Sequence, residues 1–352
     1  MPNIWMHLEY GQQLAEEFSG RFPFLTLLNH QQQLYNLGCQ GPDFLLYHSF
    51  LPWSKDIGAL RLGDLMHTES CGPVLIDFWK ATLSLEGTER AQAQLYFLGF
   101  LTHHLLDRNL HPYINWKAGY KYRDHQRFEI DLDTLFMSRR RSFRTWKHPA
   151  WSRIDAGRRL PGAVHRILHA VALEHYPEAM DSLPREIWQS AYRDMVLAQR
   201  CLYDPLGWKK AITWGRTRRM FSRKLTAREE RLDYLNEQHA EWRHPALYSE
   251  VRTESVWDLW EAALAEGRVV LGALADWLDS AGRAAADRNA ASRYAANRGA
   301  VNRDAANRSA ATSLLGAFTA VLGNRSYDTG KDCSLNLHNQ YADPIWTSLP
   351  GG

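Results

Sequence analysis

Fifteen histidines stand in the chain of 352 residues, and those best placed for chemistry lie four residues from a carboxylate. His103 and Asp107 form one such pair in HHLLD, and His125 and Glu129 form another in HQRFE. Four residues along a helix is a net turn of about 40°, so both partners share a face. His111 lies between the pairs, Asp43 follows Gly-Pro, His67 stands in MHTES, and His7 lies near the start. Imidazole and carboxylate without thiolate suit zinc, with manganese and iron as poorer fits. Together these groups are enough for two or three ions. A single His–Asp pair at this spacing is more often a helix hydrogen bond than a metal site, so the reading rests on the whole set. His104 is about 100° around the helix from His103 and reads as structural or supporting. His48 stays ambiguous, and His165 and His169 are unassigned. HExxH, GxSxG, GxxxxGK[ST] and GxGxxG are all absent, which removes the metalloprotease, esterase, P-loop and dinucleotide signatures.

The elements that must carry these side chains read as helical throughout, with no convincing period-two alternation. The segment 88–110 opens after Gly87 and is expected to close at Pro112. Its middle, Leu95 to Leu101, is apolar on every side and belongs in a core. Further helices are expected at 59–85, 121–138, 161–176, 185–203, 225–242 and 255–279. Segments 36–56 and 108–120 carry Gly and Pro and read as loops. From Ala285 to Ser309 a five-residue unit recurs: AADRN, AASRY, AANRG, AVNRD, AANRS. Five residues advance a helix by about 140° net, so the arginines spiral and build no buried face. The repeat reads as a low-complexity linker or a solvated, partly helical rod. The division expected is a helical body over 1–280, a pentad linker over 281–312, and a tail over 313–352 that is apolar enough to dock.

Composition sets the class. Hydrophobic residues make up 45% and charged residues 23%, which excludes a chain disordered throughout. No apolar run is long enough to span a membrane. The start, MPNIWMHLE, has neither a basic opening nor an apolar signal stretch, so a cytoplasmic location is expected. Cysteines 39, 71, 201 and 333 form no CxxC and read as free thiols. The net charge of +3 hides two basic stretches. Residues 139–159 carry eight Lys/Arg against Asp155 alone, and residues 208–228 carry eight with no acid. Both hold aromatics, Phe143, Trp146 and Trp151 in one and Trp208, Trp214 and Phe221 in the other. Such surfaces suit an anionic membrane face or a nucleic acid, with solvated helix faces as the equal alternative.

The ordered set D…H…HxxxD…H…HxxxE resembles the zinc-dependent phospholipase C family, a helical fold with a trinuclear zinc site shared with single-strand-specific fungal nucleases. The resemblance is closest to bacterial members that lack a signal peptide. Its stretches here are MPNIWMH, NLGCQGPDFLLYH, LMHTESCGP, GFLTHHLLDRNLHPYI and HQRFE, between residue 1 and about 130. A weaker likeness runs on through AYRDMVLAQRCLYDPLGW. The resemblance implies that Asp43, His67 and His103 hold one zinc. Asp107 then bridges it to a second, which His7 also binds, and His111, His125 and Glu129 hold a third. In the secreted enzymes the free N-terminal residue completes a site. Here Pro2 stands closer to His7 than the family spacing, and the step from Asp107 to His111 is shorter, so the site built on His7 departs most from the family pattern and a dinuclear protein is the alternative.

The function implied is hydrolysis of a phosphodiester, a phospholipid first. Paired zinc ions lower the pKa of a shared water toward neutrality, and Asp43 accepts a proton from it by resemblance. A single-strand nuclease with the same metals is the alternative, and a non-catalytic, metal-stabilised helical scaffold is a third reading. Fold cannot choose among them.

Overall fold

A computed structural model describes residues 3–51, 58–121, 123–209, 220–293, 310 and 312–348. The architecture is mostly α-helical and is built around one long central helix. The helices are α1 (Ile4–Glu17), α2 (Leu28–Gly38), α3 (Ala59–Thr68), α4 (Cys71–Leu83), α5 (Gly87–Ala118) and α6 (Asp124–Arg141). They continue with α7 (Trp151–Ile154), α8 (Gly162–His175), α9 (Pro177–Met180), α10 (Ile187–Cys201) and α11 (Val256–Arg293). A 3-10 segment, Gly41–Tyr47, follows α2. Helix α5 packs against α1, α2, α4, α6, α8 and α11. Its all-round apolar stretch accounts for that position: Leu95, Tyr96, Phe97, Leu98, Phe100 and Leu101 are fully buried. No helix among the described residues is long and apolar enough to cross a membrane.

Four expectations about the elements are corrected. The central helix does not close at Pro112 but runs on to Ala118, so 108–120 is not a loop. Pro112 costs one backbone hydrogen bond, and here burial on every side outweighs it. The expected helix 59–85 is broken at Glu69 and Ser70, the latter at φ 51°. Pro73 cannot donate to the carbonyl four residues back, and it sits instead in the first turn of α4. No helix forms over 225–242. Asp233 accepts from the backbone N–H groups of Glu237 and Gln238, and Asn236 and His239 take positive φ. Such local side-chain bonds draw backbone donors out of a helix. The absence of strands also fails: β1 (Trp242–His244) and β2 (Leu247–Arg252) form an antiparallel hairpin.

Helix α11 carries the first pentads as far as Arg293, while 294–309 lies outside the described residues. Residues 312–322 are again helical. From there the chain packs on the body, with Phe318, Leu322, Tyr327 and Ile345 buried.

Candidate metal centre

The site is built from five elements. Helix α1 supplies His7, the 3-10 segment Asp43, the end of α3 His67, α5 His103, Asp107 and His111, and α6 His125 and Glu129. Ligand atoms of Asp43, His67, His103 and Asp107 all lie within 4.8 Å of one another, and those of His111, His125 and Glu129 do likewise. His7 joins through Asp107, with Nε2 3.2 Å from Oδ1, and its ring stacks on that of His103 at 4.2 Å. Asp107 Oδ1 also lies 3.9 Å from His111 Nε2, which links the two groups. All eight residues expected from the sequence thus meet in one place.

Gly41 makes the approach of Asp43 possible. Its φ is +50°, a conformation disfavoured for any residue with a Cβ, and a Cβ there would overlap the His103 ring.

Three imidazoles are oriented alike. His67 Nδ1–H donates to the Gly63 carbonyl at 2.7 Å, His103 Nδ1–H to Cys39 at 3.2 Å, and His111 Nδ1–H to Tyr327 at 3.0 Å. Each bond leaves Nε2 as a lone pair turned inward. His67 Nε2 meets Asp43 Oδ1 at 3.1 Å, and His103 Nε2 meets Asp107 Oδ2 at 3.0 Å and Asp43 Oδ1 at 3.5 Å. This is how metal-ligating histidines are held by their outer nitrogen.

The electrostatics call for a cation. Asp43 and Asp107 are buried, and neither oxygen of Asp107 has a hydrogen-bond donor among the described residues. The Nε2 atoms of His7, His103 and His111 likewise have no hydrogen-bond partner. Lone pairs face lone pairs, an arrangement that is costly unless positive charge lies between them. Protons can supply part of it. Burial opposes a charge on His103, but Asp107 and Asp43 outweigh it and raise that imidazole to about 10. Burial, and then the charge of His103, push His7 down to about 4. Burial would raise Asp43 and Asp107, but the adjacent histidines hold both carboxyls below the usual range. The donor set, five imidazoles and three carboxylates with no thiolate, fits zinc.

The other histidines stand apart. His104 donates Nε2–H to the Arg325 carbonyl at 2.7 Å and lies against the Tyr327 ring, away from the carboxylates. His48 pairs with Asp194 at 2.8 Å, and His165 Nε2 bonds the Arg185 carbonyl. Asp77, Glu174 and His175 also cluster, at the surface, where Lys80 already pairs with Asp77. Sequence reasoning missed Tyr327 and Asp328. Tyr327 packs its ring against His67, His103 and His104, and Asp328 Oδ1 lies 3.3 Å from His111 Nδ1. They stand more than two hundred residues from their partners in sequence, and no spacing announces them.

The basic stretches are less open than their composition suggests. Arg139 pairs with Glu237, and Arg140 and Arg141 both pair with Glu9. Phe143 stacks on His148 and packs at a tilt against Trp5. Residues 210–219 of the second stretch lie outside the described residues.

No curated protein and no solved structure matches the chain. A family model described as zinc dependent phospholipase C matches residues 6–182. The matched stretch is half of the 352 residues, begins one residue before His7 and extends beyond Glu129. Every side chain of the cluster expected from the sequence therefore falls inside it, and the chain belongs to the zinc-dependent phospholipase C family.

Proposed function

We propose that this chain is a zinc-dependent phosphodiesterase of the phospholipase C type, acting on a phospholipid at a centre of two or three zinc ions. The observation that carries the reading is Asp107, buried on the central helix with both oxygens turned to the Nε2 atoms of His7, His103 and His111. In this reading Asp43, His67 and His103 would hold one zinc, Asp107 and His7 would hold a second, and His111, His125 and Glu129 would hold a third. Zinc held there supplies a water acidified toward neutrality and neutralises charge on the phosphoryl oxygens.

The chain's own part is to hold and orient. The outer nitrogens of His67, His103 and His111 are tied to carbonyls, so their inner lone pairs need no reorganisation. Asp43, kept ionised by its histidines, is placed to accept a proton. The Asp107 end of the site is sealed from solvent, whereas His125 is about one-third exposed, so substrate enters at the α6 end. A cleft opens there beside Glu129, lined by Asn3, Trp5, Tyr47, Trp146 and Tyr203. Its aromatic rings alternate with polar side chains, among them Gln126, Thr145, Gln199 and Asp204, a lining that suits the polar head of a phospholipid rather than its acyl chains.

The test is hydrolysis of phosphatidylcholine vesicles by purified protein supplied with zinc. Release of phosphocholine and diacylglycerol is expected, abolished by chelation and by Asp107→Asn. Cleavage of single-stranded DNA or RNA in place of lipid would transfer the site to a nuclease. A protein that binds zinc and cleaves lipid, nucleic acid and bis-p-nitrophenyl phosphate not at all would be a scaffold.

A further inference from the structure

Helix α5 presents two rows of side chains. His103, Asp107 and His111 follow one another at four-residue steps and face the carboxylate cluster. One residue further round, His104 and Arg108 form a second row. This second row holds the C-terminal segment 322–333. His104 donates to the Arg325 carbonyl, and Arg108 Nη1 donates to the Leu322 carbonyl at 2.7 Å. Arg108 and Arg325 also converge on Glu266 of α11, at 2.8 and 2.5 Å.

The segment reaches the backbone of α5 as well. Pro112 cannot donate to the Arg108 carbonyl. That carbonyl is covered instead by Gly330, whose φ is +64° and where a Cβ would overlap it. His244 of β1 donates to the Thr329 carbonyl at 2.9 Å, and Cys333 meets Cys71 through their sulfurs at 3.6 Å.

So held, the segment reaches three of the residues proposed as ligands. The backbone N–H of Tyr327 and the hydroxyl of Ser326 both donate to the His67 carbonyl, at 2.9 and 3.0 Å. The Tyr327 ring covers His67 and His103. The Tyr327 carbonyl accepts the Nδ1–H of His111 at 3.0 Å, and Asp328 Oδ1 stands 3.3 Å from the same nitrogen. A carboxylate on the outer nitrogen fixes the tautomer and makes the inner nitrogen a better donor to a metal.

We propose that the segment 322–333, which lies outside the stretch matched by the family, forms a wall of the metal centre, and that Asp328 is the positioning residue for His111. This rests on the zinc reading above. The experiment compares wild type, Asp328→Asn and Asp328→Glu. Zinc affinity is read by competition with a chromogenic chelator, and stability by thermal unfolding of the zinc-free proteins. Asp328→Asn should weaken one zinc by about 10–100-fold and leave the zinc-free melting temperature unchanged. Asp328→Glu should recover most of the loss. Wild-type affinity in Asp328→Asn overturns the inference while the metal reading stands. A fall in zinc-free stability that accounts for the lost affinity, unrelieved in Asp328→Glu, also overturns it, because the role is then structural. A wild type that binds no zinc removes the metal reading and this inference with it.

Discussion

Asp107 is the side chain whose loss should be felt most widely. Asp107→Asn keeps the shape but turns an N–H₂ toward nitrogen lone pairs that now face a carboxylate. A fall in activity of about a hundredfold or more is expected, with loss of bound zinc measured by atomic spectroscopy. His104, its neighbour by three positions, offers the contrast. His104→Ala should keep zinc but lose about 1–3 kcal/mol in urea unfolding, because the buried Arg325 carbonyl loses its donor. If His104→Ala strips the zinc and Asp107→Asn does not, the ligand face of α5 has been chosen wrongly. Gly41 carries a separate expectation. Gly41→Ala combines a disfavoured φ, worth about 1–2 kcal/mol, with an overlap on His103. It should lower zinc affinity as well as stability, and a variant with unchanged zinc binding would show that the segment can yield.

Between elements, α1 is set on α6 by a buried carboxyl. Asp133 Oδ1 accepts the backbone N–H of Met6 at 2.7 Å, one residue before His7. Burial pushes this carboxyl up to about 8, against the opposing pull of the Met6 and Trp5 amides. Near neutral pH it is therefore protonated in the fold and ionised in the unfolded chain. The folded state binds the extra proton, so this contribution is complete below about pH 4 and is lost as pH rises through about 8. Asp133→Asn, neutral at every pH, should melt above wild type at the alkaline end and converge with it near pH 4. Thermal melts of both across that range decide the matter. Parallel curves would mean that Asp133 stays ionised in the fold.

Across the molecule the proposed ligands come from α1, the 3-10 segment, α3, α5 and α6, while α11 and the C-terminal segment press on α5 from its other row. Metal bound only by the folded chain stabilises it by mass action, about 4 kcal/mol for a site at a thousandfold excess over its Kd. Chelation should therefore lower the melting temperature, and added zinc should restore it. Complete removal of zinc with no change in melting would place the metal at the periphery.

Part of the side-chain cluster was legible in local spacing: HxxxD and HxxxE put His103 with Asp107 and His125 with Glu129 on one helical face, while His7, Asp43, His67 and His111 joined only through the whole ordered set, and imidazole with carboxylate pointed to zinc ahead of manganese and iron. The all-round apolar run of α5 likewise announced a central helix. Local signals failed where distant contacts outweighed them. Pro112 reads as a helix end, but burial carries the helix past it and Gly330 covers the carbonyl it cannot bond. The 225–242 stretch reads as helix, but Asp233 takes its backbone donors. The basic stretch at 139–159 reads equally as a phosphate-binding or a solvated face, but Glu9 of α1 and Glu237 of a distant turn pair with its first three arginines. Tyr327 and Asp328 had no local signature at all, because their partners lie more than two hundred residues away in the chain. Spacing along a helix encodes what one helix presents; which other segment covers it is settled by long-range packing, and that left no periodicity to read.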